Sequence, residues 1–209
     1  DIMGVFAGIN HDQYVGLRQF EKSVIKQINN KTEGMDIELE KIGLGYSLGG
    51  GLITYSQLTG GGYDKVYTYN AAAPSVYKMA WLDYKFHVSL LREFNLGPGD
   101  TTSIYELDPK ELEAFAEEYY AEAGKVIKHT VSEQDILQAA FPLRGFFRVG
   151  QIENKIDVFP DEDVEILHKL FEQFPDSIAK DYQIFLLENL TEPYGEEGFD
   201  GLLLELTGV

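Results

Sequence analysis

Ser47 stands in 43-GLGYSLGGGLITY-55, in the spacing G-x-S-x-G with two more glycines directly behind. A serine hydroxyl becomes a nucleophile when a base takes its proton and a sharp backbone turn presents it to a substrate. The same residues could also make a plain glycine-rich turn. Apolar residues on both sides argue against an exposed loop, and each glycine weakens any regular element that holds it. Four histidines (His11, His87, His129 and His168) are available as bases, and no cysteine competes as nucleophile or thiolate ligand. No H-x-x-x-H or similar ligand spacing occurs, so neither metal nor cofactor is expected.

The elements around Ser47 decide between the two readings. Residues 2–9, IMGVFAGI, read as a short buried strand. Residues 11–30 read as a helix with Tyr14, Leu17, Phe20, Val24 and Ile28 on one stripe, and Gly34 as a stop. Residues 37–44 lead into a second strand, 49–58 form a helix, and 65–70, KVYTYN, alternate as a third strand. The first 75 residues thus run strand, helix, strand, helix, strand, the pattern of an α/β parallel sheet. Ser47 falls between a strand and a helix. There Gly45 and Gly49 would relieve crowding two residues to either side, and the first N–H groups of the following helix would face an oxyanion.

Residues 76–142 offer no convincing strand and read as a helical cap or insertion. Asp108 caps a helix over 109–123 with Pro109 at its first position, and Ser132 caps a short one over 133–141. Tyr77, Trp81, Tyr84, Phe86 and Phe94 give the insertion either a small core of its own or an acyl-binding wall or lid. A strand returns at 146–152, then a loop, then a helix over 162–174 capped by Asp161. Segments 183–190 and 202–206 are apolar but ambiguous.

The segments 45-GYSLGGGL-52 and 66-VYTYNAAAP-74 resemble the nucleophile-elbow region of class 3-type lipases and related bacterial lipase-like α/β-hydrolase domains, which read G-H-S-L-G-G, helix, then a strand ending T-F-N or T-F-G. The run 4-GVFAGIN-10 is similar to the F-R-G-T strand of that family, with Ala7 and Ile9 in place of its Arg and Thr. The resemblance covers residues 2–75 well and 146–158 loosely. It implies an α/β-hydrolase-like fold, a mostly parallel sheet with flanking helices and a helical cap. It also implies a serine esterase or lipase acting on lipid or acyl esters, with Ser47 as nucleophile. Leu48 N–H would be one oxyanion donor, and Gly8 or Ile9 N–H the other. Related domains occur in secreted bacterial effectors, so a secreted bacterial origin is the expectation.

That fold class orders its triad Ser, Asp, His along the chain. Asp157 then reads as the acid, since it follows a late strand and 149-VGQIENKIDVFP-160 is loosely similar to the family's strand-N-x-x-D-x-V-P segment. Its alternative is an ordinary turn aspartate. Asp108 and Asp135 have structural explanations, as an N-cap and a residue inside a helix. His168 reads as the base because it alone follows Asp157, although it lies on the apolar face of the 162–174 helix and could be a core histidine. His129 is the rival. A non-catalytic binding or scaffolding domain, and an acyltransferase or thioesterase with the same triad, stay open.

The charge narrows the partners. With 35 acidic and 17 basic residues among 209, the formal net charge is −18. Such a surface repels phosphate backbones, so nucleic acid is not an expected partner. Acidic runs at 106–124, 153–176 and 188–205 read as solvated helix faces, or as a surface for a basic protein partner. No apolar run reaches the roughly 18 residues that span a membrane. The length suits a single domain. A start at Asp1, with no basic leader, reads as a processed product or a piece of a longer protein.

Overall fold

Strand and helix alternate along the chain as the sequence pattern requires. The computed structural model describes residues 12–97, 103–132, 135–139, 144–156, 169, 180 and 181. Helix α1 (Asp12–Thr32) leads to β1 (Ile42–Tyr46), α2 (Leu48–Leu58) and β2 (Lys65–Tyr69). Then come α3 (Val76–Leu82), α4 (Tyr84–Glu93), a 3-10 turn (Ser103–Glu106) and α5 (Pro109–Gly124). Strand β3 (Ile127–Val131), the one-turn α6 (Ile136–Ala139) and β4 (Gln151–Lys155) follow. The expected strand at 2–9, the helix over 162–174 with its cap Asp161, and the segments 183–190 and 202–206 lie outside the described residues.

All four strands are parallel and lie in sequence order, β1-β2-β3-β4. Gly45, Thr68 and His129 share one register row. Parallel strands joined by right-handed crossovers that always step in the same direction carry every connecting helix on one face. Accordingly α2 packs on β1 and β2, and α1 and α5 pack on α2. Gly43, Val66, Thr68, Ile127, His129 and Val131 point into that covered side and are buried, and Gly45 on the same side is half-covered. On the opposite side Leu44 and Tyr46 are 70% and 69% exposed, and Ile42 and Tyr69 are exposed as well.

Three sequence expectations change. Residues 76–142 contain a strand, β3, so the helical stretch ends at Gly124. The polar run Lys128-His129-Thr130 disguised it, yet its residues alternate buried and half-buried between β2 and β4. The strand expected at 146–152 begins only at Gln151. Gly150 breaks the run: its φ is +96°, and a Cβ there would stand 2.6 Å from the Ile127 carbonyl oxygen. In α1 the expected stripe is incomplete, because Phe20 is 66% exposed while Glu21 is buried. Glu21 accepts hydrogen bonds from Ser56 Oγ at 2.8 Å, from Tyr63 Oη and from Arg18 at 2.7 Å. Burial alone would raise its carboxyl, but the Tyr63 and Ser56 bonds and the nearby Lys41 and Arg18 charges outweigh that and hold it below the usual range. Helix α1 therefore docks on α2 partly through a buried polar cluster.

Two further helix signals hold. Asp108 caps α5 by accepting from Lys110 N at 2.8 Å, with Pro109 at the first position. Gly34 follows α1 at φ +77°. The aromatic residues of α3 to α5 do not form a separate core: Tyr77, Phe86, Tyr105 and Tyr120 belong to one cluster with Ile53 and Leu58 of α2, Val66 of β2 and Ile127 of β3.

Candidate functional site

Ser47 joins the carboxyl end of β1 to α2 and stands at φ 55°, ψ −127°. A non-glycine residue in that region stores strain on the order of 1–3 kcal/mol and persists only where its surroundings over-determine it. Here they do. Ser47 N donates to Tyr69 O at 2.9 Å, extending the β1–β2 ladder one residue past β1. Its carbonyl accepts from Gly50 N at 3.0 Å, Gly51 N at 3.3 Å and Ala72 N at 3.2 Å. The turn is closed by glycines, though not by the expected pair. A Cβ on Gly45 would lie 2.5 Å from Gly50 Cα, and one on Gly50 would lie 2.6 Å from Ala71 Cβ. A Cβ on Gly49 would meet open space. Gly45 and Gly50 are the residues that let β1, α2 and the 71–72 segment come together.

Ser47 is half-buried, and Leu48 is the first residue of α2. First-turn N–H groups of a helix have no intrahelical acceptor and favour negative charge in front of them. Leu48 N–H thus has the setting expected of an oxyanion donor. Gly8 and Ile9, the other candidates, lie outside the described residues, as do Asp157 and His168.

His129 sits in the middle of β3, buried, with both ring nitrogens engaged. Nε2 is 2.8 Å from Val149 O and Nδ1 is 2.6 Å from Thr68 Oγ1. A carbonyl only accepts, so Nε2 carries the proton and Nδ1 accepts from the threonine. Burial pushes the imidazole below its ordinary value, with the Val149 bond opposing and Arg148 assisting. This is a neutral core histidine two register positions below the Ser47 turn. His87 lies elsewhere, in a cavity of about 190 Å³ between α3, α4 and the 3-10 turn, with Tyr77, Trp81, Tyr84, Ile104 and Tyr105.

The carboxyl edge of the sheet also holds a group that sequence reasoning set aside. Asp135 is not inside a helix: it precedes α6, accepts from Leu137 N at 2.9 Å, and donates its own N–H to Ser132 O at 3.1 Å. Ser132 does not cap that helix; its Oγ has no hydrogen-bond partner. The place of Asp135 four residues past Val131 is a readable signal only once β3 is known to be a strand, and the polar run Lys128-His129-Thr130 hides that strand. Between the two turns lies Asn70, the residue after β2, at φ 43°. Its N–H donates to Thr130 O at 2.9 Å, and its Oδ1 accepts from Ser132 N at 2.7 Å. Gln138 adds a bond from Nε2 to Ala71 O at 3.2 Å.

Residues 1–156 match a domain family of unknown function, DUF6792. The chain belongs to this family. Over 195 residues it is also 27% identical to YvcB of Bacillus subtilis (strain 168), described only as uncharacterized. That alignment takes in 87% of the chain and 29% of YvcB, so the chain spans under a third of that relative. No solved structure matches. The family match covers β1 to β4 and the whole Ser47 turn.

Proposed function

We propose that this domain is a serine hydrolase of lipase-like α/β-hydrolase type, cleaving carboxylic esters of lipid or acyl groups. The observation that carries the reading is the strained, fourfold-bonded backbone of Ser47 at a strand-to-helix turn on the carboxyl edge of a parallel sheet. That edge is where open α/β sheets bind ligands, and nothing in plain turn formation calls for a non-glycine residue at such angles. In this reading Ser47 Oγ attacks the ester carbonyl. His168 takes the proton and returns it to the leaving alkoxide. Leu48 N–H, with Gly8 or Ile9 N–H, holds the oxyanion. Water then releases the acyl group by the same steps.

Two carboxylates compete to orient the base. Neighbouring strands lie about 4.8 Å apart, so β3 is roughly 10 Å from β1 and β4 roughly 14 Å. The shorter offset is the one an imidazole spans between a hydroxyl and a carboxylate. We therefore favour Asp135, four residues past the end of β3, over Asp157.

Reaction with a fluorophosphonate, followed by intact mass and peptide mapping, tests the proposal. A single adduct on Ser47, lost in Ser47→Ala, is the expected result. Folded protein that takes no adduct would sink it and leave the second reading, a lipase-like binding domain. That reading draws on the positions of His87 and His129, neither of which belongs to the Ser47 turn.

A further inference from the structure

We infer that Asn70 is a positioning residue that ties the Ser47 turn to the Asp135 turn and fixes the offset between nucleophile and carboxylate. The inference rests on the hydrolase reading. Hydrogen bonds run continuously from one turn to the other. Tyr69, just before Asn70, gives its carbonyl to Ser47 N at 2.9 Å, and Ala72, two residues after, donates to Ser47 O at 3.2 Å. Asn70 N–H holds Thr130 O at 2.9 Å. Asn70 Oδ1 takes the Ser132 N–H at 2.7 Å, and Ser132 O takes the Asp135 N–H at 3.1 Å. Ser132 is 3% exposed, so water is a poor substitute for the Asn70 amide.

The residue type carries the argument. At φ 43° a glycine would fit with less strain. Glycine would satisfy the backbone and leave the Ser132 N–H without its acceptor. Asparagine tolerates the left-handed region and reaches across to β3. Aspartate has the same reach and keeps an acceptor oxygen. Gln138 provides a second tie, from Nε2 to Ala71 O at 3.2 Å, and is itself held by Arg148 at 2.6 Å. That tie lands on α6, beyond Asp135, and leaves the Ser132 N–H to Asn70.

The test is the rate of fluorophosphonate addition to Ser47 in the 209-residue chain, with thermal melts beside it. The chains compared are wild type, Asn70→Gly, Asn70→Asp, Asp135→Asn and the Asn70→Gly/Asp135→Asn double variant. Asn70→Gly is expected to slow labelling roughly tenfold or more, and Asn70→Asp to recover it to within about threefold. On the Asp135→Asn background, Asn70→Gly should change the rate by less than about twofold, because both act through one carboxylate. An unchanged rate in Asn70→Gly, or equal slowing on both backgrounds, overturns the inference while leaving the hydrolase reading intact. No adduct on wild type overturns both. If Asn70→Gly fails to fold, Asn70→Ser replaces it with the same expected outcomes, since its hydroxyl is too short to reach Ser132 N.

Discussion

Gly45, Ser47 and Gly50 form one unit, and their individual tolerances differ in a way the motif spacing hides. The strict contact is between Gly45 and Gly50, where a methyl group on either would drive β1 into α2 or α2 into Ala71. Backbone atoms cannot give way as a flexible side chain would. Gly45→Ala is expected to cost on the order of 3 kcal/mol or more, beyond ordinary overpacking, and to abolish any Ser47 labelling. Gly49→Ala, facing open space in the first turn of α2, should be neutral or stabilising by about 0.5–1 kcal/mol. Urea denaturation of both variants checks this; equal losses would mean that the turn is shaped by something other than the Gly45–Gly50 contact. The G-x-S-x-G pattern was legible in the sequence, but its glycine pairing was not. Pairing depends on how closely the helix returns past the strand, which spacing does not encode.

Helix α3 buries a lysine beside Tyr55 of α2. Lys78 is 5% exposed, its ammonium stands 5.0 Å from the centre of the Tyr55 ring, and burial pushes it down to about 8 from 10.5. The sign follows from linkage. Below pH 8 both folded and unfolded chains carry the proton, and the cost of burying the charge is full. Between about 8 and 10.5 the folded chain has shed the proton while the unfolded chain still binds it, so stability rises with pH. Lys78→Met keeps the volume and removes the charge. It should raise stability at pH 7 by about 1–3 kcal/mol, with a gain that shrinks toward pH 10. Denaturation midpoints at pH 7 and pH 10 measure it; a destabilised variant at pH 7 would mean that the ammonium does more for the α2–α3 contact than its burial costs.

Among the described residues the sheet winds in one direction and carries its helices on one side. Purely parallel sheets are ordinarily covered on both faces, yet Leu44 and Tyr46 are exposed. Substitutions on the two sides should therefore differ. Val66→Ala, on the covered face with no exposure at all, is expected to cost about 1–3 kcal/mol. Leu44→Thr should cost less than about 0.5 kcal/mol in this chain. Comparable losses at both positions, read from thermal or urea melts, would show that the open face is covered in solution. Among the described residues, no helix is long and apolar enough to cross a membrane.

Local pattern alone set much of this protein. The alternation of apolar runs and turn glycines gave α1, β1, α2 and β2 to within a few residues, and Asp108-Pro109 gave the start of α5. Ser47 at a strand-to-helix turn was readable because the glycines and flanking runs are contiguous. Tertiary structure decided what depends on residues far apart in sequence. Lys128-His129-Thr130 became a central strand because β2 and β4 flank it and Thr68 and Val149 satisfy the imidazole. Glu21 turned inward because Ser56 and Tyr63, some 35 and 42 residues away, supply its hydrogen bonds. Asp135 came to the carboxyl edge only once β3 was in the sheet, and Asn70 reached Ser132 across 62 residues of chain. A polar side chain is buried or exposed according to its partners, and a single sequence does not name partners that distant.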